Sequence, residues 1–223
     1  MSARAGNGHD DRPRRLTTQG EDRRAAIVDN AERLFAEHGY DRTRMTDIAT
    51  AAGVTKGLLY WYFENKQELI AEILASTRRR LRVHQQQAVG DLDDPLARLY
   101  VGTAASVRFV LDNYRLYLVA GDGPDRTLNA ILGESSQVHA SDTARTIADG
   151  QERGVVPAFA SPRALAFANA GVVNSLCAAA FYGGLREPPE EVARTAAGYV
   201  LRALAADPAA VAEVESAHAH RLA

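Results

Sequence analysis

Residues Thr43 to Leu69, TRMTDIATAAGVTKGLLYWYFENKQEL, constrain this chain more than any other stretch. Two short helical segments flank Gly53, which supplies the left-handed position that ends a helix without a Cβ penalty. Thr46, followed by Asp47, is placed to cap a helix from Asp47 to Ala52. Thr55 is placed to cap the next, with Lys56 and Gly57 in its first turn and Asn65 near its end. Two helices joined by so tight a turn make a helix-turn-helix.

Successive residues of a helix turn by about 100°, so Tyr60, Trp61 and Tyr62 point in three directions. Leu59 and Phe63, one turn apart, take the core-facing side with Ile48, Ala49 and Val54. The three rings cannot all follow them inside. A short helix that exposes large amphipathic rings behind Thr55, Lys56 and a side-chain-free Gly57 suits close approach to a phosphate backbone. Tyrosine and lysine bond phosphate oxygens, and glycine admits the backbone N–H groups. The alternative is that the rings pack on a neighbouring helix. For Trp61 both roles stay open, DNA contact or bracing of the fourth helix.

The residues Arg24-x-x-Ile27-x-x-x-Ala31-x-x-Leu34-Phe35-x-x-x-Gly39-Tyr40, followed by Thr46-Asp47-Ile48-Ala49-x-x-Ala52-Gly53-Val54-Thr55-Lys56-Gly57-x-Leu59-Tyr60-x-Tyr62-Phe63-x-x-Lys66-x-x-Leu69, resemble the DNA-binding domain of TetR-family transcriptional regulators. The resemblance runs without a gap over residues 21 to 81. It implies contact with double-stranded operator DNA through Thr46, Thr55, Lys56, Gly57, Tyr60, Tyr62 and Lys66, to which Trp61 is added from its place in the aromatic run. It implies no catalytic residue and no cofactor. Leu58 departs from the pattern, which more often has a small or hydroxyl residue there.

The formal charge of −2 gives no bulk attraction to nucleic acid. Residues 1 to 66 hold eleven Lys/Arg and ten Asp/Glu and the remainder fifteen and eighteen, so the two parts carry +1 and −3. Affinity for DNA must then come from placed contacts at the helix-turn-helix. The single cysteine, Cys177, excludes an intrachain disulfide, fits a reducing cytosol and reads as a small buried hydrophobe. The N-terminus MSARAGNGHDDRPRRL lacks the apolar core of a signal peptide. Ala164 to Tyr182 approaches membrane-spanning length, but Asn169, Asn174 and Ser175 are costly in lipid, so a buried helix is expected. These features predict a cytoplasmic protein, on the nucleoid when bound to DNA, with no membrane partner.

Residues 1 to 20 read as a disordered arm whose Arg12, Arg14 and Arg15 either follow DNA or stay solvated. One helix is expected from Arg23 to Gly39, and a longer one from Lys66 to Gln87 along Leu69, Ile73, Leu74 and Leu81. Lys66 opens the latter against the helix dipole, so a phosphate partner is expected to offset that cost. Arg78, Arg79, Arg80 and Arg82 read as a solvated face. Asp94 caps and Pro95 opens a helix to Asn113. Further helices are expected over Asp125 to Asp149, Ser161 to Tyr182 and Pro188 to Ala206, after which Pro208 ends the pattern. The predicted fold is all-α: a three-helix DNA-binding domain over 21–81 with its helix-turn-helix at about 44–63, a regulatory and dimerisation domain over 82–206, and a tail over 207–223.

The Ser161 to Tyr182 helix is apolar or small nearly all round and needs cover on both faces, from a second subunit or within one chain. The expected homodimer interface uses Ala170, Gly171, Asn174 and Ala178 with Val192, Ala196, Tyr199 and Ala203, and the TetR-family resemblance implies such a four-helix contact. A pocket for a small, mainly apolar or aromatic effector is expected among Tyr100, Val107, Arg108, Phe109, Tyr117, Ile131, Ser135, His139 and Asp142. His139 and Asp142 supply only two ligands, so no metal site is expected. Ser135, His139 and Asp142 lie along one helical face with no oxyanion hole or nucleophile turn, which argues against a hydrolase. The expected function is a ligand-responsive repressor released from a palindromic operator. The remaining alternative is a sequence-independent DNA-architectural protein.

Overall fold

The computed structural model describes residues 18–114 and 141–222, and every regular element among them is helical. Arg12, Arg14 and Arg15 of the arm, and Tyr117, Ile131, Ser135 and His139 of the expected pocket, lie outside the described residues. In chain order come α1 (Thr18–His38), α2 (Met45–Ala51), α3 (Lys56–Tyr62), α4 (Lys66–Val89) and α5 (Pro95–Asp112). They are followed by α6, described over 141–152, then α7 (Pro162–Phe181), α8 (Pro189–Leu204), α9 (Pro208–His218) and a closing 3-10 turn, Ala219–Leu222.

Side-chain caps fix most of these starts. Thr55 accepts from the Leu58 N–H at 3.2 Å, Asn65 from Glu68 at 2.8 Å, Asp94 from Ala97 at 3.1 Å and Ser161 from Ala164 at 3.2 Å. Three expected boundaries change. The arm is already helical from Thr18. Thr46 does not cap α2 but lies inside it, because the helix starts at Met45 and the Asp47 carboxylate accepts from the Arg44 N–H at 3.0 Å. Asn65 opens α4 rather than closing α3.

Two hydrophobic cores result. The head core gathers Ile27, Ala31 and Phe35 of α1, Ile48 of α2, Leu59 of α3, then Phe63 and the α4 residues Leu69, Ile70 and Ile73, all fully buried. Each large side chain among them contributes about 1.5–3 kcal/mol. The body core is built around α5, which buries Ala97, Val101, Ala104 and Val107 against Ala193, Ala196, Ala197 and Leu201 of α8. Helix α4 joins the two, with Ala88 and Val89 at its far end packed on the body core.

One expectation about the last helices, the role of the α8 stripe, is corrected. Helix α7 is long and apolar enough to cross a membrane, yet it is not buried all round. Leu165, Ala166, Val173 and Cys177 enter the body core, and Asn169 accepts a hydrogen bond from the Thr103 hydroxyl of α5 at 3.3 Å. Phe167, Gly171, Asn174 and Ser175 face outward. On α8, Val192 and Ala196 are not interface residues but are buried in the chain's own core, because that stripe faces α5; Tyr199 and Ala203 stay exposed.

The expected tail beyond Pro208 is the largest difference. Asp207 caps α9 by accepting from the Ala209 N–H at 2.9 Å, with Pro208 in the first turn, so the proline starts a helix instead of ending the fold. Val211, Val214 and Leu222 from this segment all enter the body core. Leu222→Ala therefore destabilises the protein by about 2–5 kcal/mol, the range for a buried leucine. The expected reading is a lower urea midpoint with an unchanged slope.

Candidate nucleic-acid interface

Helix α3 is held from behind by Leu59, fully buried, and by Phe63 just past its end. Its outer surface is left to Thr55, Lys56, Gly57, Tyr60 and Trp61, all exposed. The Lys56 ammonium lies 5.8 Å from the centre of the Tyr60 ring, and Trp61 meets Tyr62 edge-on at 4.7 Å. Trp61 is half exposed and braces its neighbour Tyr62. Tyr62 is half-buried against the head core. A Cβ on Gly57 would meet nothing within 4 Å, so no close packing inside the protein calls for glycine there. Thr46 is exposed on α2, joined by Thr50 and by Arg42 and Arg44 just before the helix, which the sequence motif does not single out.

Lys66 is the expected contact that the structure redirects. Its ammonium donates to the Tyr40 carbonyl at 2.7 Å and the Thr43 carbonyl at 3.2 Å, and sits 4.1 Å from the centre of the Tyr40 ring. Burial pulls its pKa below the usual lysine value, partly opposed by Asp41. The unfavourable place at the start of α4 is thus offset from within, by two carbonyls of the loop that enters α2. The same loop is fixed from beneath by the buried Thr43 hydroxyl, which donates to the Gly39 carbonyl at 2.9 Å and to that of Leu34 at 3.3 Å.

Ion pairs knit α1 to α4. Arg24 meets Glu72 at 3.1 Å and Arg80 meets Glu32 at 2.6 Å, while Arg79 reaches Glu72 at 3.3 Å. The hydrogen bond from Arg24 holds the Glu72 carboxyl below its usual range. The arginine run expected as a solvated face is therefore partly an internal fastening.

A second feature is a cleft of about 500 Å³ between α4, α5, α6 and α7. Gln85 donates to the Ser106 hydroxyl at 2.7 Å on one wall, and the Thr103–Asn169 bond lies on another. Arg82, Arg98, Arg145 and Asp142 add charge, with Arg82 on Asp142 at 2.9 Å and Arg145 also paired to Asp142. Of the expected pocket residues that are described, only Asp142 lines it. Tyr100 and Val107 are buried in the body core, Arg108 donates to the Arg221 carbonyl at 3.3 Å, and Phe109 packs on His84 at 5.7 Å. The physical reason is that α5 is apolar or small on nearly every side, and its cleft-facing stripe is Leu99, Gly102, Thr103 and Ser106. Cys177 is fully buried, and burial pushes its thiol up to about 12, so it is inert packing.

Comparison with known proteins follows this division. The profile of bacterial regulatory proteins, tetR family, matches residues 27–73. Over 63 residues the chain is 46% identical to the HTH-type transcriptional regulator TtgR of Pseudomonas putida, which is 28% of this chain and 30% of that protein. The chain thus spans under a third of the length of that curated relative. The crystal structure of NalD, the secondary repressor of the MexAB-OprM multidrug efflux pump in Pseudomonas aeruginosa, matches with a TM-score of 0.67 at 24% identity, covering 86% of this chain and 100% of NalD. The SmeT–triclosan complex matches with a TM-score of 0.69 at 21% identity, covering 84% and 93%. At these identities the two structures establish the fold, head and body together.

Lys66→Met leaves two loop carbonyls without their donor, which costs about 1–3 kcal/mol. Thermal melting should fall accordingly, and a variant that melts like the wild type would show that the clamp is dispensable.

Proposed function

The chain belongs to the TetR family of bacterial regulatory proteins, and from that premise we propose that it is a homodimeric, ligand-responsive repressor that reads a palindromic operator. The observation that carries the reading is the outer surface of α3. Lys56, Tyr60 and Trp61 stand exposed on a helix whose other side is fully committed to the core, beside a glycine that internal packing does not require. Such a surface matches a major groove, with Thr55 and Lys56 on phosphates and the rings against base edges or thymine methyls. Thr46, Gly57 and the half-buried Tyr62 complete the contact set, while Lys66 serves the head's own structure.

Two copies of α3 reach successive major grooves only if a dimer holds them about 34–36 Å apart. The exposed side of α7 with Tyr199 and Ala203 of α8 supplies the dimer face: Phe167, Phe181 and Tyr199 are large apolar residues that stay exposed, and Gly171 and Asn174 lie among them. Ala170 and Ala178, half-buried, flank this face. The domain division follows, with a DNA-binding head over 21–81 and a body beyond it that extends through Leu222.

The effector site is the cleft, whose volume of about 500 Å³ lies within the usual range for small-molecule sites. Its described walls mix polar side chains such as Gln85, Thr103, Ser106 and Asn169 with apolar ones such as Val89, Leu92, Leu99 and Ala166, which suits a small molecule with both apolar and hydrogen-bonding groups. SmeT, which shares the fold, is the protein seen with triclosan.

Selection from random duplexes tests the reading. An inverted repeat should be enriched, and Lys56→Ala should weaken binding to every sequence and lower the salt dependence by about one phosphate contact, with melting unchanged. Failure to enrich any sequence would favour a sequence-independent architectural protein. Because a Cβ at Gly171 meets nothing within 4 Å among the described residues, Gly171→Leu is directed at the interface. It should cost about 1–3 kcal/mol there, and sedimentation should show partial dissociation; a wild type that is monomeric at micromolar concentration removes the dimer.

A further inference from the structure

The C-terminal segment does more than close the body core. It is pinned at three places. The Arg202 guanidinium of α8 grips Glu215 of α9 through two bonds, at 2.6 and 2.8 Å. Gly198 leaves the space for that pair, since a Cβ there would fall 2.7 Å from the Arg202 Nη1 and 3.1 Å from the Glu215 Oε1. Arg108 of α5 donates to the Arg221 carbonyl, and Leu222 is fully buried. The strap so fixed delivers the Arg221 side chain to the end of α4. There its Nη1 donates to the Val89 carbonyl at 3.3 Å and approaches that of Ala88 at 3.4 Å.

Those carbonyls belong to the last turn of a helix, where the dipole favours a cation, and the Val89 carbonyl that takes Arg221 also accepts from the Leu92 N–H at 3.3 Å. The turn ends at Gly90 with φ of +58°. Its other side lines the cleft, through Val89, Gly90, Asp91 and Leu92. One short turn is therefore gripped by Arg221 from one side and faces the effector site on the other, while the opposite end of α4 is locked to the head by Lys66.

We propose that Arg221 is a positioning residue for DNA binding: it holds the last turn of α4 against the body, so that the helix carries the head at one angle and a ligand in the cleft must work against this clamp to change it. This rests on the function proposed above, and it adds to it the contact through which cleft and head communicate.

The test uses the full chain. Amide hydrogen exchange over residues 86–92 is measured in the wild type, Arg221→Ala and Arg221→Lys. The alanine variant should exchange there about tenfold faster, the scale expected for loss of a hydrogen bond from a charged group, with residues 208–218 as protected as before, and the lysine variant should recover most of the protection. A label on His38→Cys, selective because Cys177 is buried and its thiol is pushed up to about 12, reports the spacing of the two heads. That distance distribution should broaden in Arg221→Ala and narrow again in Arg221→Lys, with operator affinity following it. Unchanged exchange over 86–92 overturns the proposal. So does faster exchange shared equally with 208–218, since Arg221 would then only stabilise the strap. A wild type that binds no duplex or does not dimerise would instead overturn the function proposed above, and the exchange comparison would still decide whether the clamp exists.

Discussion

One helix belongs to two cores, and most of the architecture follows from that. The first turns of α4 bury Leu69, Ile70 and Ile73 among α1, α2 and α3, while Ala88 and Val89 at its far end pack on the body. A continuous helix of 24 residues is about 36 Å long at 1.5 Å per residue. It does not kink without a proline, glycine or bulge to permit it, and it has neither proline nor glycine in that span. Whatever tilts one end is delivered to the other. The fastenings along it are graded: Lys66 on two loop carbonyls at the head, Arg24 and Arg80 in ion pairs with α4 and α1 carboxylates, and Arg221 at the distal turn.

The head is the part most legible in the sequence. Helix propensity, the glycine at position 53 and the Thr55 cap act over a few residues, so spacing alone records them. Lys66 shows where that stops. Its place at the start of a helix correctly signals that a partner is needed, but the partners lie 26 and 23 residues earlier in the chain and are main-chain carbonyls. No side-chain pattern encodes them. An external phosphate is the only partner that spacing along the chain can suggest.

The same dipeptide reads in two ways. Asp94-Pro95 reads as a helix start and is one; Asp207-Pro208 has the same chemistry, yet its proline reads as a stop because the long helix before it has just ended. The cleft is illegible for a different reason. When a helix is apolar or small on nearly all sides, as α5 is, periodicity states that it is buried but not which stripe meets which neighbour. The α8 stripe raises the same ambiguity, and Val192 and Ala196 turn to their own chain.

The ion pairs that tie α1 to α4 change what ionic strength means for this molecule. Arg24–Glu72 and Arg80–Glu32 are only partly buried, so added salt weakens them over the same range in which it screens a phosphate backbone. A salt titration of DNA affinity thus reports two processes at once: counterions returning to the duplex, and a reading head that loosens on its support. Its slope overstates the number of phosphates touched. Subtracting the slope of a variant changed only at the DNA surface cancels the internal part and leaves the contribution of the contacts removed.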